Sequence, residues 1–251
     1  MITDPQANTE RQKIIVIFIA YKAKHTLENF YSAFPKQLVD EVILVDDASG
    51  DGTFELAQKL GITSFENPVN LGYGGNMKRA IEIALSRGAD IIIDIHPDGE
   101  YKPSAIPEAI QKVKEGALLV LGNRFTHPTA PLQTGMYIWK LIPITILNWI
   151  DRAILGLTIG DFHQGFRVYT RTLLESIPFK RNSNNYLFSF ELIAQAAFKK
   201  MNVAQVPVET SYTGEKRGAS LKNSIKYSLG TFTVLALFIL AKSGLKNKLF
   251  R

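Results

Sequence analysis

Cysteine is absent from all 251 residues, which excludes disulfides, thiolate catalysis and Cys-ligated zinc. The four histidines (His25, His96, His127, His163) form no HExxH pair, and no serine sits in a GxSxG elbow. Zinc hydrolysis and triad acyl transfer therefore have no basis in the sequence. Neither GxxxxGK[ST] nor GxGxxG occurs, which argues against phosphate-loop ATP hydrolysis and dinucleotide binding. The first dozen residues, MITDPQANTERQ, lack the basic and apolar regions of a secretory leader. The apolar run Leu229 to Ala241 is thirteen residues long, short of the roughly 20 that a bilayer span takes. Internal repeats and low-complexity segments are also lacking.

With 46% hydrophobic, 10% aromatic and 21% charged residues, the chain is able to bury one sizeable core. Its net charge of +6 is concentrated at one end: from Thr213 onward eight basic residues stand against Glu215 alone, leaving the rest nearly neutral. Basic residues alternating with an apolar run favour an anionic membrane surface over nucleic acid. The other reading of this tail is an amphipathic helix packed on the domain or on a second copy of the chain.

The body alternates strand and helix signals. Strands are expected at Lys13 to Ala20, a continuous apolar run, at Val42 to Val45, near Ile62 to Phe65, and at Asp90 to Ile95, Leu118 to Leu121, Phe166 to Tyr169 and Val203 to Val208. Between them lie helical patterns at Thr26 to Phe34 (with Thr26 as cap), from Thr53, at Gly75 to Arg87, Ser104 to Glu115 and Leu187 to Lys199. Strands apolar at every position belong to a parallel sheet covered on both faces. After Arg124 the rhythm breaks at Pro128 and Pro131. The nearly uncharged stretch Met136 to Ile150, interrupted by Pro143, then reads either as a buried helix or as a lipid-interface helix with two tryptophans.

Polar clusters punctuate the strand ends, where open α/β sheets bind their ligands. Asp46 and Asp47 end one strand, and two adjacent carboxylates exceed what a capped turn needs. Asn70 to Asn76, NLGYGGN, brings three glycines to a helix entry, suited either to an anion or merely to close packing. His96 to Pro103, HPDGEYKP, follows the run Ile91-Ile92-Ile93 and offers His96, Asp98 and Glu100 as nitrogen and oxygen ligands for a divalent cation and its phosphates. Asp161 to Arg167, DFHQGFR, sets an acid, an imidazole and an arginine before a strand, suited to an anionic substrate.

The series VDDASGDGT (Val45 to Thr53), NLGYGGN, HPDGEYKP, GNRF (Gly122 to Phe125) and DFHQGFRVYTR (Asp161 to Arg171) resembles glycosyltransferase family 2, and within it the polyprenyl-phosphate sugar transferases. The order and spacing of all five motifs match, from about Lys13 to about Tyr227. The resemblance implies an α/β fold of the GT-A type, a mostly parallel nucleotide-sugar-binding sheet flanked by helices. Residues 13–212 would form it, between a disordered 1–12 and an apolar, basic tail at 213–251 serving as membrane anchor or oligomer contact.

The same resemblance implies inverting transfer of a sugar from a UDP- or GDP-linked donor to a polyprenyl phosphate, with Mg2+ or Mn2+, by a cytoplasmic protein peripheral at the inner face of the membrane. Carried over, Ala20, Tyr21 and Asp47 bind the donor, with Asp98 and Glu100 beside its phosphates. His96, Asp98 and Glu100 hold the metal, and Arg124 and Arg167 meet donor and acceptor phosphates. Asp98, Arg167 and Asp161 would be catalytic. A lipid phosphate needs no strong base, whereas a hydroxyl acceptor would need Asp161 or Glu191. Three positions depart from the family's pattern. Lys22-Ala23 stands where Asn and Glu are usual, His96 replaces the first Asp of DxD, and Leu221 replaces a Lys after the displaced Lys216-Arg217. The His96 replacement keeps open a non-catalytic sugar-nucleotide-binding scaffold.

Overall fold

The computed structural model describes residues 11–127, 130–133, 135–211 and 221–251. The N-terminus through residue 10, Pro128 and the stretch carrying Lys216 and Arg217 lie outside the described residues, as does the side chain of Leu221. The strands are β1 (Ile14–Ala20), β2 (Glu41–Asp46), β3 (Thr63–Glu66), β4 (Ile91–Asp94), β5 (Leu119–Asn123), β6 (Arg167–Thr170) and β7 (Val203–Pro207). The helices are α1 (Lys24–Ser32), α2 (Thr53–Lys59), α3 (Tyr73–Ser86), α4 (Ile106–Lys114), α5 (Ala130–Gln133), α6 (Ile138–Leu155), α7 (Arg171–Ser176), α8 (Leu187–Phe198) and α9 (Leu221–Lys242).

The strands form one seven-stranded sheet in the order β3-β2-β1-β4-β6-β5-β7. Alternate residues of β1 enter opposite cores: Ile15, Ile17 and Ile19 one, Val16, Phe18 and Ala20 the other. Successive strand side chains point to opposite faces, so an all-apolar strand demands cover on both. α1, α2 and α4 cover one face through Leu27, Phe30, Ala57, Ile106 and Val113. α3, α8 and α9 cover the other through Met77, Ile81, Phe188, Phe190, Val234 and Phe238.

All strand pairings are parallel except those of β6, which runs antiparallel to both β4 and β5. The reversal sets Arg167, the first residue of β6, opposite Asp94, the last of β4. Segment 161–166 therefore arrives at the sheet edge where the parallel strands end.

Three local expectations are corrected. α1 begins at Lys24, and Thr26 lies inside its first turn with its hydroxyl donating to the Ala23 carbonyl, so it is not the cap. α6 runs unbroken through Pro143. The thirteen-residue apolar run is part of the 22-residue α9, long and apolar enough by length and composition to cross a membrane. α9 is also no detached tail. Val234, Leu235, Phe238 and Ala241 are buried in the core with Leu249 and Phe250 beyond them, and Gln195 on α8 donates to the Leu249 carbonyl at 2.8 Å. The opposite face leaves Ile225, Leu229, Phe232 and Ile239 exposed.

The glycines of NLGYGGN admit the 183–185 loop against the start of α3. A Cβ on Gly74 would fall 2.1 Å from the Ser183 carbonyl oxygen and 2.8 Å from that of Asn185. Backbone atoms cannot swing aside as a side-chain end can, so Gly74→Ala should cost about 1–3 kcal/mol. Urea denaturation checks this, and an unchanged midpoint would show that the loop yields freely.

Candidate active site

At the end of β2 both aspartates are buried and turned inward. Asp46 accepts from the Ser49 amide at 2.9 Å and from its hydroxyl. Burial, opposed by those bonds, raises its pKa. Asp47 accepts from Asn67 Nδ2 at 2.6 Å and from the amides of Leu71 and Gly72 at 2.8 and 2.9 Å, while its own amide donates to the Ala20 carbonyl. Asp47 thus ties β1, β2 and the 67–72 loop together. Of the residues expected to meet the donor here, Ala20 is buried and Tyr21 is exposed. Lys22 follows in the left-handed region, at φ 57°.

Of the two readings of NLGYGGN, close packing is the one its contacts favour. The amides of Leu71 and Gly72 are taken by Asp47, and those of Gly74 and Gly75 by the Asn184 carbonyl at 2.9 and 3.4 Å.

HPDGEYKP is clamped at the carboxyl end of β4. Tyr101 bridges Thr210, the Lys102 amide donates to the Glu209 carbonyl, and the Ser211 amide donates to the Glu100 carbonyl. Gly99, at φ 76°, allows the turn in which the Glu100 amide donates to Asp98 Oδ1 at 2.9 Å. Asp98 is exposed. Glu100 is raised by burial and then by the charge of Asp98, so two carboxylates crowd one place. A cation there would relieve that repulsion, and hard oxygen donors suit magnesium or manganese completed by phosphate and water.

His96 does not join them in a ready-made cage, for among the described residues no three His, Asp or Glu side chains are grouped to hold a metal. Its Nε2 lies instead 3.8 Å from Asp94 Oδ1, and neither buried atom has a hydrogen-bond partner. The expected set of His96, Asp98 and Glu100 is thus not preassembled among the described residues.

Behind this loop stand two buried arginines. Arg124 donates from Nε and Nη2 to Asp161 Oδ2 and Oδ1 at 2.7 and 3.1 Å, and from Nη2 to the His163 carbonyl at 2.8 Å. Burial alone would raise Asp161, but Arg124 outweighs it and holds the carboxyl below its ordinary value. A carboxylate so engaged makes a poor base, so Asp161 is better described as the counter-ion of Arg124. Glu191, the other base expected for a hydroxyl acceptor, accepts from the Ser183 amide and hydroxyl at 2.6 and 2.7 Å, holding the 183–185 loop.

Arg167 reaches the Tyr73 hydroxyl at 3.3 Å and Asp94 at 3.7 Å, and its buried Nε has no partner. Burial, opposed by His96 and Arg167, pushes Asp94 above its ordinary value, and burial opposed by Arg167 pushes Tyr73 up to about 12.

His96, Asp98, Glu100, Arg124 and Arg167 share the floor of one cavity of about 820 Å3. Its walls come from α6, including Trp139, Pro143 and Leu147, and from α9, including Ile225 and Leu229. Ala20, Tyr21 and Asp47 do not line it, lying along the edge at β1 and β2. Four residues at or beside this floor escaped the sequence analysis: Asp94, Tyr73, Asp151 and Tyr227. Asp94 and Asp151 had left a trace, each being a lone carboxylate in an otherwise apolar segment.

Replacing Asp161 by Asn leaves Arg124 buried without a counter-charge, a change worth about 3–5 kcal/mol at neutral pH. Because the folded pKa of Asp161 is depressed, its stabilisation is present above the unfolded value of about 3.9 and is lost as pH falls through the folded one. The stability gap between wild type and Asp161→Asn should therefore narrow below about pH 4. Denaturation midpoints across pH check this, and a gap constant to the acid limit would refute the ionised pair.

The chain resembles known proteins along its length. It is 25% identical over 260 residues to the polyprenol monophosphomannose synthase of Mycolicibacterium smegmatis, covering 99% of this chain and 93% of that protein. It is 25% identical over 218 residues to the UDP-N-acetylglucosamine–dolichyl-phosphate N-acetylglucosaminyltransferase of Methanococcus voltae, covering 80% and 86%. In fold it matches the glucosyl-3-phosphoglycerate synthase of Mycobacterium tuberculosis, crystallised with Mn2+, UDP-glucose and phosphoglyceric acid, with a TM-score of 0.67 at 20% identity, covering 94% of this chain and 81% of that one. The architecture is thus that of the GT-A glycosyltransferases. The model of glycosyl transferase family 2 matches residues 15–177, more than half the chain, and the protein belongs to that family.

Proposed function

We propose that the protein transfers a sugar, with inversion, from a UDP- or GDP-sugar to a polyprenyl phosphate, at the cytoplasmic face of a membrane. The observation that carries this reading is the cavity itself, with acids and arginines on its floor and apolar walls from two helices that continue outward as exposed apolar surface. A phosphate on a long isoprenoid has that same division. The names of the polyprenol and dolichyl-phosphate relatives support the acceptor class.

The donor diphosphate would lie over Asp98 and Glu100, with its nucleoside toward Tyr21 and the β2 edge. A divalent cation held by Asp98 and Glu100 would neutralise the diphosphate as it leaves. Arg167, whose buried Nε lacks a partner, is placed to donate to a phosphate oxygen of the acceptor. Arg124 adds a guanidinium whose orientation Asp161 fixes. An ionised acceptor phosphate attacks the anomeric carbon opposite the diphosphate without a strong base.

Incubation with a panel of UDP- and GDP-sugars, polyprenyl phosphate and Mg2+ or Mn2+, with mass spectrometry of the lipid product, tests the reading. Donor consumption without a lipid-linked sugar would overturn the acceptor. Asp98→Asn should abolish transfer and metal-dependent donor binding, a loss of several kcal/mol of transition-state stabilisation, without shifting the melting temperature of a fold in which Asp98 is exposed. Near-normal turnover of that variant would remove Asp98 from the metal site.

The membrane face is tested by Trp149→Ser, Leu229→Ser and Phe232→Ser together, at positions 67%, 63% and 45% exposed. Flotation with anionic vesicles should fall, and use of a long polyprenyl phosphate should fall more than use of a short soluble one, at unchanged melting temperature. Undiminished flotation would place the membrane contact elsewhere.

A further inference from the structure

Asp151 on α6, His163 in the loop before β6 and Tyr227 on α9 meet in one hydrogen-bonded chain. His163 Nε2 lies 2.7 Å from Asp151 Oδ2, and Nδ1 lies 3.0 Å from the Tyr227 hydroxyl. The imidazole stacks on Phe190 of α8, and the side chains of Asp151 and His163 are almost wholly buried. Packing two apolar helices together does not require this trio, and a buried carboxylate carries a desolvation cost. Both His163 and Tyr227 border the cavity that holds Arg167.

The chain has a direction. An ionised carboxylate only accepts, so Nε2–H of His163 donates to Asp151, which leaves Nδ1 as the acceptor for the Tyr227 O–H. The phenol oxygen then offers its lone pairs to whatever occupies the cavity. Burial, partly countered by Arg167, raises the Tyr227 pKa, so the phenol stays protonated and conducts a proton rather than storing the deficit.

We propose that Tyr227, His163 and Asp151 form a proton relay that takes up the proton the acceptor loses as it attacks. As an acceptor oxygen bonds to the anomeric carbon, the acceptor's proton (on a second oxygen of a phosphate monoanion, on the attacking oxygen of water) passes to the Tyr227 oxygen and the Tyr227 proton passes to His163 Nδ1. The bond from the anomeric carbon to the diphosphate breaks and takes its electron pair with the diphosphate. The resulting imidazolium sits against the Asp151 carboxylate. Around His163 the other charged groups are Asp161, which accepts its amide, and Arg124, which donates to its carbonyl, while α8 presents Phe190. Arg167 interacts with Tyr227.

The phosphate arm of the inference rests on the proposed acceptor. A phosphate monoester has a second pKa of about 6: its dianion attacks with no proton to lose, while its monoanion attacks through an unprotonated oxygen and sheds its remaining proton, to the relay, as the diester forms. Water attacking the donor in slow hydrolysis has a proton to lose at every pH in this range, so the relay would act on it throughout.

The experiment compares wild type, His163→Gln, Tyr227→Phe and the double variant in two reactions between about pH 5.5 and 8.5, transfer to polyprenyl phosphate and hydrolysis of the same donor without acceptor. Gln at 163 is able to donate to Asp151 and accept from Tyr227, keeping the bridge while holding no proton. Each variant should lose about 100-fold in hydrolysis at every pH. In transfer each should lose tenfold or more near pH 5.5 and converge on wild type by about pH 8, with unchanged donor affinity and no further loss in the double variant. A His163→Gln protein that matches wild type in hydrolysis and in low-pH transfer would make the trio a structural bridge and overturn the relay. If wild type hydrolyses donor but makes no lipid product, the acceptor reading fails and hydrolysis alone decides the relay. If it does neither, both fail.

Discussion

The reversal of β6 is the constraint on which the cavity floor depends. In a wholly parallel sheet the loop before this strand would sit at the amino edge, and the residue reaching the carboxyl edge would be Thr170. Because β6 runs against β4 and β5, Arg167 comes to lie beside Asp94, and the preceding loop delivers Asp161 and His163 to the same edge. One short antiparallel strand thereby assembles an arginine, a carboxylate and an imidazole where HPDGEYKP already stands.

Three basic groups beneath the cavity stand beside buried carboxylates: Arg124 beside Asp161, Arg167 beside Asp94, which also neighbours His96, and His163 beside Asp151. Such pairs contribute little net stability, since desolvation offsets most of the attraction, but breaking one is expensive. Their effect is to fix guanidinium and imidazole orientations before any ligand arrives. Asp98 and Glu100 add negative charge to the same floor, which a divalent cation would offset.

Much of this was legible in the sequence. Every strand was expected near where it lies, the longest from continuous apolar runs, and each of the motif ends Asp46-Asp47, His96 to Glu100 and Asp161 to Arg167 falls at the carboxyl edge of the sheet. Strand direction was not legible, because periodicity carries no sign, and so the Asp94–Arg167 contact was invisible. The roles of NLGYGGN and Asp161 depended on which partner arrived first. The glycine-rich entry meets backbone carbonyls of the 183–185 loop, and Asp161 meets Arg124, each about forty to a hundred residues away in the chain. Composition alone could not separate the two faces of α9, since the apolar run that reads as a tail supplies both core and surface.

That division of α9 bears on how a membrane would act on the site. Val234, Leu235, Phe238 and Ala241 fix the helix to the core, and its other face exposes Leu229, Phe232 and Ile239. Freeing α9 to cross a bilayer would strip that core face and expose Phe198 and Phe250, whose rings pack on Phe238. An orientation along the surface keeps the core intact and is the less costly of the two. It also holds Tyr227 and the cavity wall at Leu229 in the register that the core dictates. An isoprenoid entering between α6 and α9 from the membrane side would then meet a wall already shaped, with its phosphate the only part reaching Arg167.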